Sequence, residues 1–230
     1  MAYTDNTMRI LFFLICILPV EAFAQTPAGP PNNNRATKEN LGLVGDRFKP
    51  LVYDEMTPEQ KTMIDHLLAG ERGSLGGPFN VLLRSPEMGD MAQQFGASMR
   101  FHAALPKPAL ETVIIVTARF WMAQFEWNAH KRAALQAGVS PAVVDAIANG
   151  RRPDTMTPDV ETAYNFIVEL LKTRQVSDAT FLAAKTRFGE KGVVDIVGLS
   201  GWYSTVSMAL NVDRYPASPA ELKPLANPLP

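Results

Sequence analysis

One cysteine, Cys16, is all the thiol chemistry this 230-residue chain owns. It sits in a segment with the order of an export leader: Arg9, an apolar run from Ile10 to Val20, then the small-x-small pattern Ala22-Phe23-Ala24 ahead of Gln25. Cleavage after Ala24 leaves a mature protein without cysteine, which excludes disulfides, thiolate nucleophiles and disulfide exchange. The bulky Leu14 and Ile15 before Cys16 argue against a lipid-modified cysteine. The run from Ile10 to Val20 is also too short for a permanent membrane helix, which needs about 20 residues. No second apolar run is read as long enough, so the expectation is a periplasmic or secreted protein with no membrane contact after cleavage. A surplus of positive charge is missing too. With 22 Lys and Arg against 23 Asp and Glu, the net charge is −1, and a nucleic-acid partner, which calls for a basic face, is not expected.

Alternating strands and hairpin turns are also absent. What the chain has instead is helix punctuation. Four times a Ser or Thr followed by Pro opens an apolar-periodic run: Thr57-Pro58, Ser85-Pro86, Ser140-Pro141 and Thr157-Pro158. The hydroxyl can accept an orphan N–H and proline has none to lose. Gly70, Gly138, Gly150 and Gly189 stand where such runs stop. Apolar stripes run through Met63 and Leu67, through Val143, Val144 and Ile147, through Tyr164, Ile167, Val168 and Leu171, and through Phe181, Leu182 and Phe188. Val113 to Val116 is β-branched, but Pro108 before it and the alanine-rich continuation favour helix. The predicted fold class is all-α. Residues 1–24 form the leader, 25–48 a Pro-, Asn- and Gly-rich disordered segment, 49–215 one helical domain, and 216–230 an extended tail with five prolines.

The densest chemistry lies between Pro108 and Gly138. Glu126 precedes His130 by four residues, which puts an acid and an imidazole on one helix face within reach of each other. Such a pair is raw material for acid–base catalysis; its plainer reading is a satisfied polar contact. Glu111 is a helix-start carboxylate that can complement the dipole. Arg119 can hold a substrate carboxylate in a bidentate fork or serve as an ordinary helix charge. His102, before Leu105-Pro106, caps a helix or lines a pocket. Phe79 and Asn80, after the glycine-rich loop from Arg72, can close that pocket, and Trp127, with Trp121, Trp202 and Tyr203, supplies apolar wall or subunit contacts. His102, His130 and Glu126 lack metal-site spacing, so no metal is expected.

From Gly77-Pro78-Phe79-Asn80 through Gly201-Trp202-Tyr203 to about Asn211, and above all in Glu126-x-x-x-His130 followed by Arg132-Ala133-Ala134, the chain resembles the carboxymuconolactone decarboxylase family, whose relatives include the alkylhydroperoxidase D proteins. In the hydroperoxidase branch a Cys-x-x-Cys precedes the histidine and a proton-relaying glutamate lies nineteen residues before it. Here the glutamate position is Glu111, while the cysteine positions hold Ala123 and Glu126, so peroxidase activity is not implied. The resemblance implies an alkylhydroperoxidase D-like helical bundle, a trimer or hexamer, with His130, Glu126 and Glu111 catalytic. It also implies a cofactor-independent lyase or isomerase acting on a small carboxylated or lactone-type acid. The alternative is a non-catalytic periplasmic ligand-binding protein on the same fold. The resemblance carries one structural demand. On a single straight helix Glu111 and Glu126 would lie about 22 Å apart; they share a site only if the chain breaks between Phe120 and Phe125, where no Gly or Pro stands.

Overall fold

Proline-led helices α1 (Pro58–Ala69), α3 (Pro86–His102), α6 (Pro141–Ala148) and α7 (Pro158–Thr173) begin where the Ser-Pro and Thr-Pro pairs placed them. The computed structural model describes residues 35–216 and Leu225; the leader and residues 25–34 of the segment expected to be disordered lie outside the described residues. At Thr57 the cap is a full box, in which the hydroxyl accepts from Gln60 N–H and the Gln60 side chain accepts from Thr57 N–H. At Ser140 the hydroxyl alone caps, accepting from Val143 N–H. The remaining helices are α2 (Phe79–Leu82), α4 (Lys107–Phe120), α5 (Gln124–Gln136) and α8 (Asp178–Asp213), with one 3-10 turn at Tyr53–Glu55. No strand occurs among the described residues. The protein is all-α.

The bundle is built around α4. From Ala109 to Arg119 all its residues are buried, which marks a helix surrounded by protein. Helices α5, α7 and α8 pack against it, and Ile114 and Ile115 share the core with Ile147, Ile167, Ile196 and Leu199. The β-branched run at Val113 to Val116 is therefore helical because burial on all sides overrides strand propensity.

Helix α8 bends at Gly189 (φ 71°, ψ 176°), a left-handed backbone position suited to glycine. Gly189 is thus an internal break between two helical stretches, whereas Gly138 and Gly150, with φ of 97° and 68°, close α5 and α6 as left-handed caps. Phe181 and Leu182, expected in a buried stripe, are exposed. By length and composition α8 could cross a bilayer, contrary to the reading that no second run was long enough. Yet 56% of its apolar window is buried inside the protein, as in a core helix.

The segment after Asn34 also departs from expectation. Over residues 35–48 it lies against the helices without regular structure. Arg35 donates to the carbonyls of Leu68 and Gly70, Ala36 N–H to Gly73 O, and the N–H groups of Asp46 and Phe48 to Asp213 Oδ1. Composition pointed to disorder, but long-range hydrogen bonds fix this stretch. Of the Pro-rich tail only Pro216 and Leu225 are described; Leu225 is buried and its N–H donates to Gln124 Oε1.

Candidate functional site

Helix α4 ends before the chain reaches Glu126, and the corner that follows determines the site. Trp121 is the C-cap, Met122 adopts φ 53°, and Ala123 resumes an extended conformation. Ala123 N–H donates to Ala118 O and Met122 N–H to Arg119 O, the two bonds of a Schellman cap. A methionine in the left-handed region costs on the order of 1–2 kcal/mol, so the corner needs outside support. Helix α8 provides it: Trp121 Nε1 donates to Ser204 Oγ at 2.8 Å, and Asn211 Nδ2 donates to Trp121 O at 2.7 Å.

The turn lays α5 back along α4 and brings the two carboxylates onto one imidazole. His130 Nδ1 lies 2.7 Å from Glu111 Oε2, and His130 Nε2 lies 3.0 Å from Glu126 Oε1. All three side chains are buried. A second cation joins them, since Arg100 Nη1 at the end of α3 is 3.1 Å from His130 Nε2 and donates to Tyr203 Oη at 3.2 Å. The Tyr203 ring stands edge-on to the imidazole, centroids 4.9 Å apart.

The two ring nitrogens therefore have different duties. A carboxylate can only accept, so Glu111 holds a proton on Nδ1. Nε2 is contested. Protonated, it donates to Glu126; neutral, it accepts from Arg100. The exchangeable proton thus sits on Nε2, and Glu111 fixes the tautomer that makes it so. Burial alone would lower the His130 pKa, but the Glu126 charge and the hydrogen bonds to Glu111 and Glu126 outweigh it and raise it to about 8. Burial pushes the Tyr203 hydroxyl well above its ordinary value, so it stays a neutral donor.

Glu126 and His130 line a cavity of about 310 Å³, together with Arg72, Phe79, Arg100, Phe101, Trp202 and Tyr203. This size suits a small ligand. Among the other residues singled out in the sequence, Phe79 is in the wall, while Glu111 stands behind His130. His102 is exposed and pairs with Glu71 at 2.8 Å; Glu71 lines the cavity and His102 does not, which corrects its reading as a pocket residue. Trp127 packs into the core. Asn80 is fully buried and donates to Phe48 O, tying down the N-terminal stretch, away from the cavity wall. Arg119 is corrected likewise. It is fully buried on the face of α4 toward α6, with Nε donating to Ala148 O and Nη1 to Met122 Sδ, and it does not line the cavity. Arg72 and Arg100 also line the cavity, and nothing in the sequence marks them, because a lone arginine in a loop or at a helix end carries no periodic signal. No group of His, Cys, Asp and Glu fit to hold a metal ion occurs among the described residues.

No protein-family model matches the chain, and no curated protein matches it.

Proposed function

We propose that this protein is a cofactor-independent lyase or isomerase, related to carboxymuconolactone decarboxylases on an alkylhydroperoxidase D-like helical fold. It would be exported, would assemble as a homo-oligomer, and would act on a small carboxylated or lactone-type organic acid. The observation that carries this reading is the burial of His130 between Glu111 and Glu126, with His130 and Glu126 both among the residues that line a small cavity. A proton held at a pKa of about 8 is available to a carbanionic carbon near neutral pH.

In a decarboxylation beside an enone or lactone, the C–C bond to the carboxylate breaks. Carbon dioxide leaves, and the electron pair moves into the ring carbonyl. Nε2–H then protonates the resulting carbanionic carbon, and solvent reprotonates the imidazole. Arg100 and the neutral Tyr203 hydroxyl, both in the cavity wall, are placed to stabilise negative charge on an enolate oxygen. An isomerisation would use the same groups: Glu126 takes a proton from one carbon, Nε2–H gives its own proton to a neighbouring carbon, and the proton on Glu126 then passes to Nε2 to restore both groups.

Turnover of small lactone acids by purified protein tests this. His130→Ala should lower turnover by about 10²–10⁴-fold, the usual worth of a general acid, and Glu126→Gln should also lower it. Unchanged turnover in both variants would sink the proposal. A binding protein is the second reading, favoured by the fact that both ring nitrogens already have partners. It would show ligand-dependent thermal stabilisation with no consumption of ligand.

A further inference from the structure

Arg72 lies on the glycine-rich loop between α1 and α2, and the proton-transfer account leaves it without a task. Its side chain enters the cavity wall among three aromatic rings, with the guanidinium carbon 5.1 Å from the Phe79 centroid, 5.8 Å from Phe101 and 5.9 Å from Trp202. Two of its nitrogens, Nε and Nη2, are buried and have no hydrogen-bond partner. These two share one edge of the guanidinium. Their N–H groups point the same way, in the spacing that a carboxylate's two oxygens accept side by side. Burying charged donors unsatisfied is costly, and burial accordingly lowers the Arg72 pKa.

The loop is built to keep that edge in place. Ala36 N–H donates to Gly73 O on one side of the loop, Gly77 N–H donates to Tyr215 Oη on the other, and Arg35 holds Gly70 O. Gly77 adopts φ 92°, which lets the chain turn back into α2. The charges set the ligand's valence. Glu111 and Glu126 are both taken up by His130, whereas the buried Nε–Nη2 edge of Arg72 has no carboxylate of its own. A single carboxylate satisfies it.

We infer that the Nε–Nη2 edge of Arg72 is the receptor for the carboxylate of a small monoanionic acid, and that it orients the acid toward His130 Nε2. The orienting role rests on the proton-transfer reading; the receptor role does not. The Phe79, Phe101 and Trp202 rings around the guanidinium suit an unsaturated or aromatic body attached to that carboxylate.

The test is calorimetric titration and thermal melting of the full chain with acetate, benzoate and 2-furoate, with benzamide as the neutral isostere and inorganic phosphate as the competing anion. At least one acid should bind saturably, while benzamide and phosphate bind at least about tenfold more weakly. Arg72→Lys keeps the charge and loses the paired edge, and Arg72→Met removes the unpaired cation. Each should weaken acid binding at least about tenfold, a loss of about 1.4 kcal/mol, with melting of the free variants confirming that they fold. If Arg72→Met does not fold, Arg72→Lys decides.

The receptor is overturned if no acid binds, if benzamide binds as well, if phosphate binds more tightly, or if affinity survives in a folded Arg72 variant. The two readings fail separately. Acid binding that needs Arg72, in a protein that turns over nothing, leaves the receptor standing and ends the proton-transfer proposal. Turnover of an acid at the wild-type rate and KM in Arg72→Lys does the reverse.

Discussion

His130 works through an unequal pair of neighbours. Glu111 accepts from Nδ1 and stands behind the ring, while Glu126 faces Nε2 at the cavity. Removing the charge of either should release part of the upward pull on the imidazole. Glu111→Gln keeps an acceptor at Nδ1 but loses the charge, so the His130 pKa should fall below its value of about 8. The imidazole C–H resonance followed by NMR against pH reads this directly, and an unmoved titration would show that Glu111 has no hold on the ring. Any pH–rate profile should lose activity above about pH 8 as the acid deprotonates, and Glu111→Gln should move that limb downward. The Glu126–His130 pair was legible because helical spacing is a local rule. Arg119 was misjudged for the opposite reason: a helix buried on all sides offers no outward face for a charge, and its arginine turned to backbone carbonyl and thioether instead.

At the level of elements, the helix starts could be read from the chain because caps are local chemistry, whereas the α4–α5 corner could not. Met122 is a poor left-handed residue, and the bonds that hold the corner come from Ser204 and Asn211, more than 80 residues away. The family resemblance demanded a break there; local propensity did not. Close packing of α3 on α8 is a second feature of this kind. A Cβ added at Gly96 would sit 2.3 Å from Trp202 Cε2, in the middle of a rigid indole. One added at Gly198 would meet Met99 Sδ at 2.5 Å, near the end of a flexible chain. Alanine in a helix gains about 1 kcal/mol over glycine, while overpacking costs about 1–3 kcal/mol. Gly96→Ala should therefore destabilise by about 1–2 kcal/mol and displace the Trp202 ring from the cavity wall, while Gly198→Ala should be close to neutral. Urea unfolding of both compares them, and equal effects would mean that Trp202 yields as easily as methionine.

Across the whole molecule, the site and the stability of the fold are linked through the same proton. Helices α3, α4, α5 and α8, through Arg100, Glu111, Glu126 and Tyr203, meet at a group whose charge depends on pH. In the unfolded chain His130 titrates near its ordinary value of 6.5, and in the folded protein near 8. Between these values the native state binds the extra proton, so stability falls as pH rises. The contribution is fully present below about pH 6.5 and is gone once pH has passed through 8. A shift of this size corresponds to roughly 2 kcal/mol, a sizeable share of the 5–15 kcal/mol typical of a folded domain. Urea unfolding at pH 6 and pH 9, in wild type and in His130→Gln, isolates the effect, because the other titrating groups are common to both proteins. Wild type should lose about 2 kcal/mol more than the variant between the two pH values. An identical loss in both would mean that His130 carries the same proton affinity folded and unfolded, and the buried carboxylates would then have no grip on the imidazole they flank.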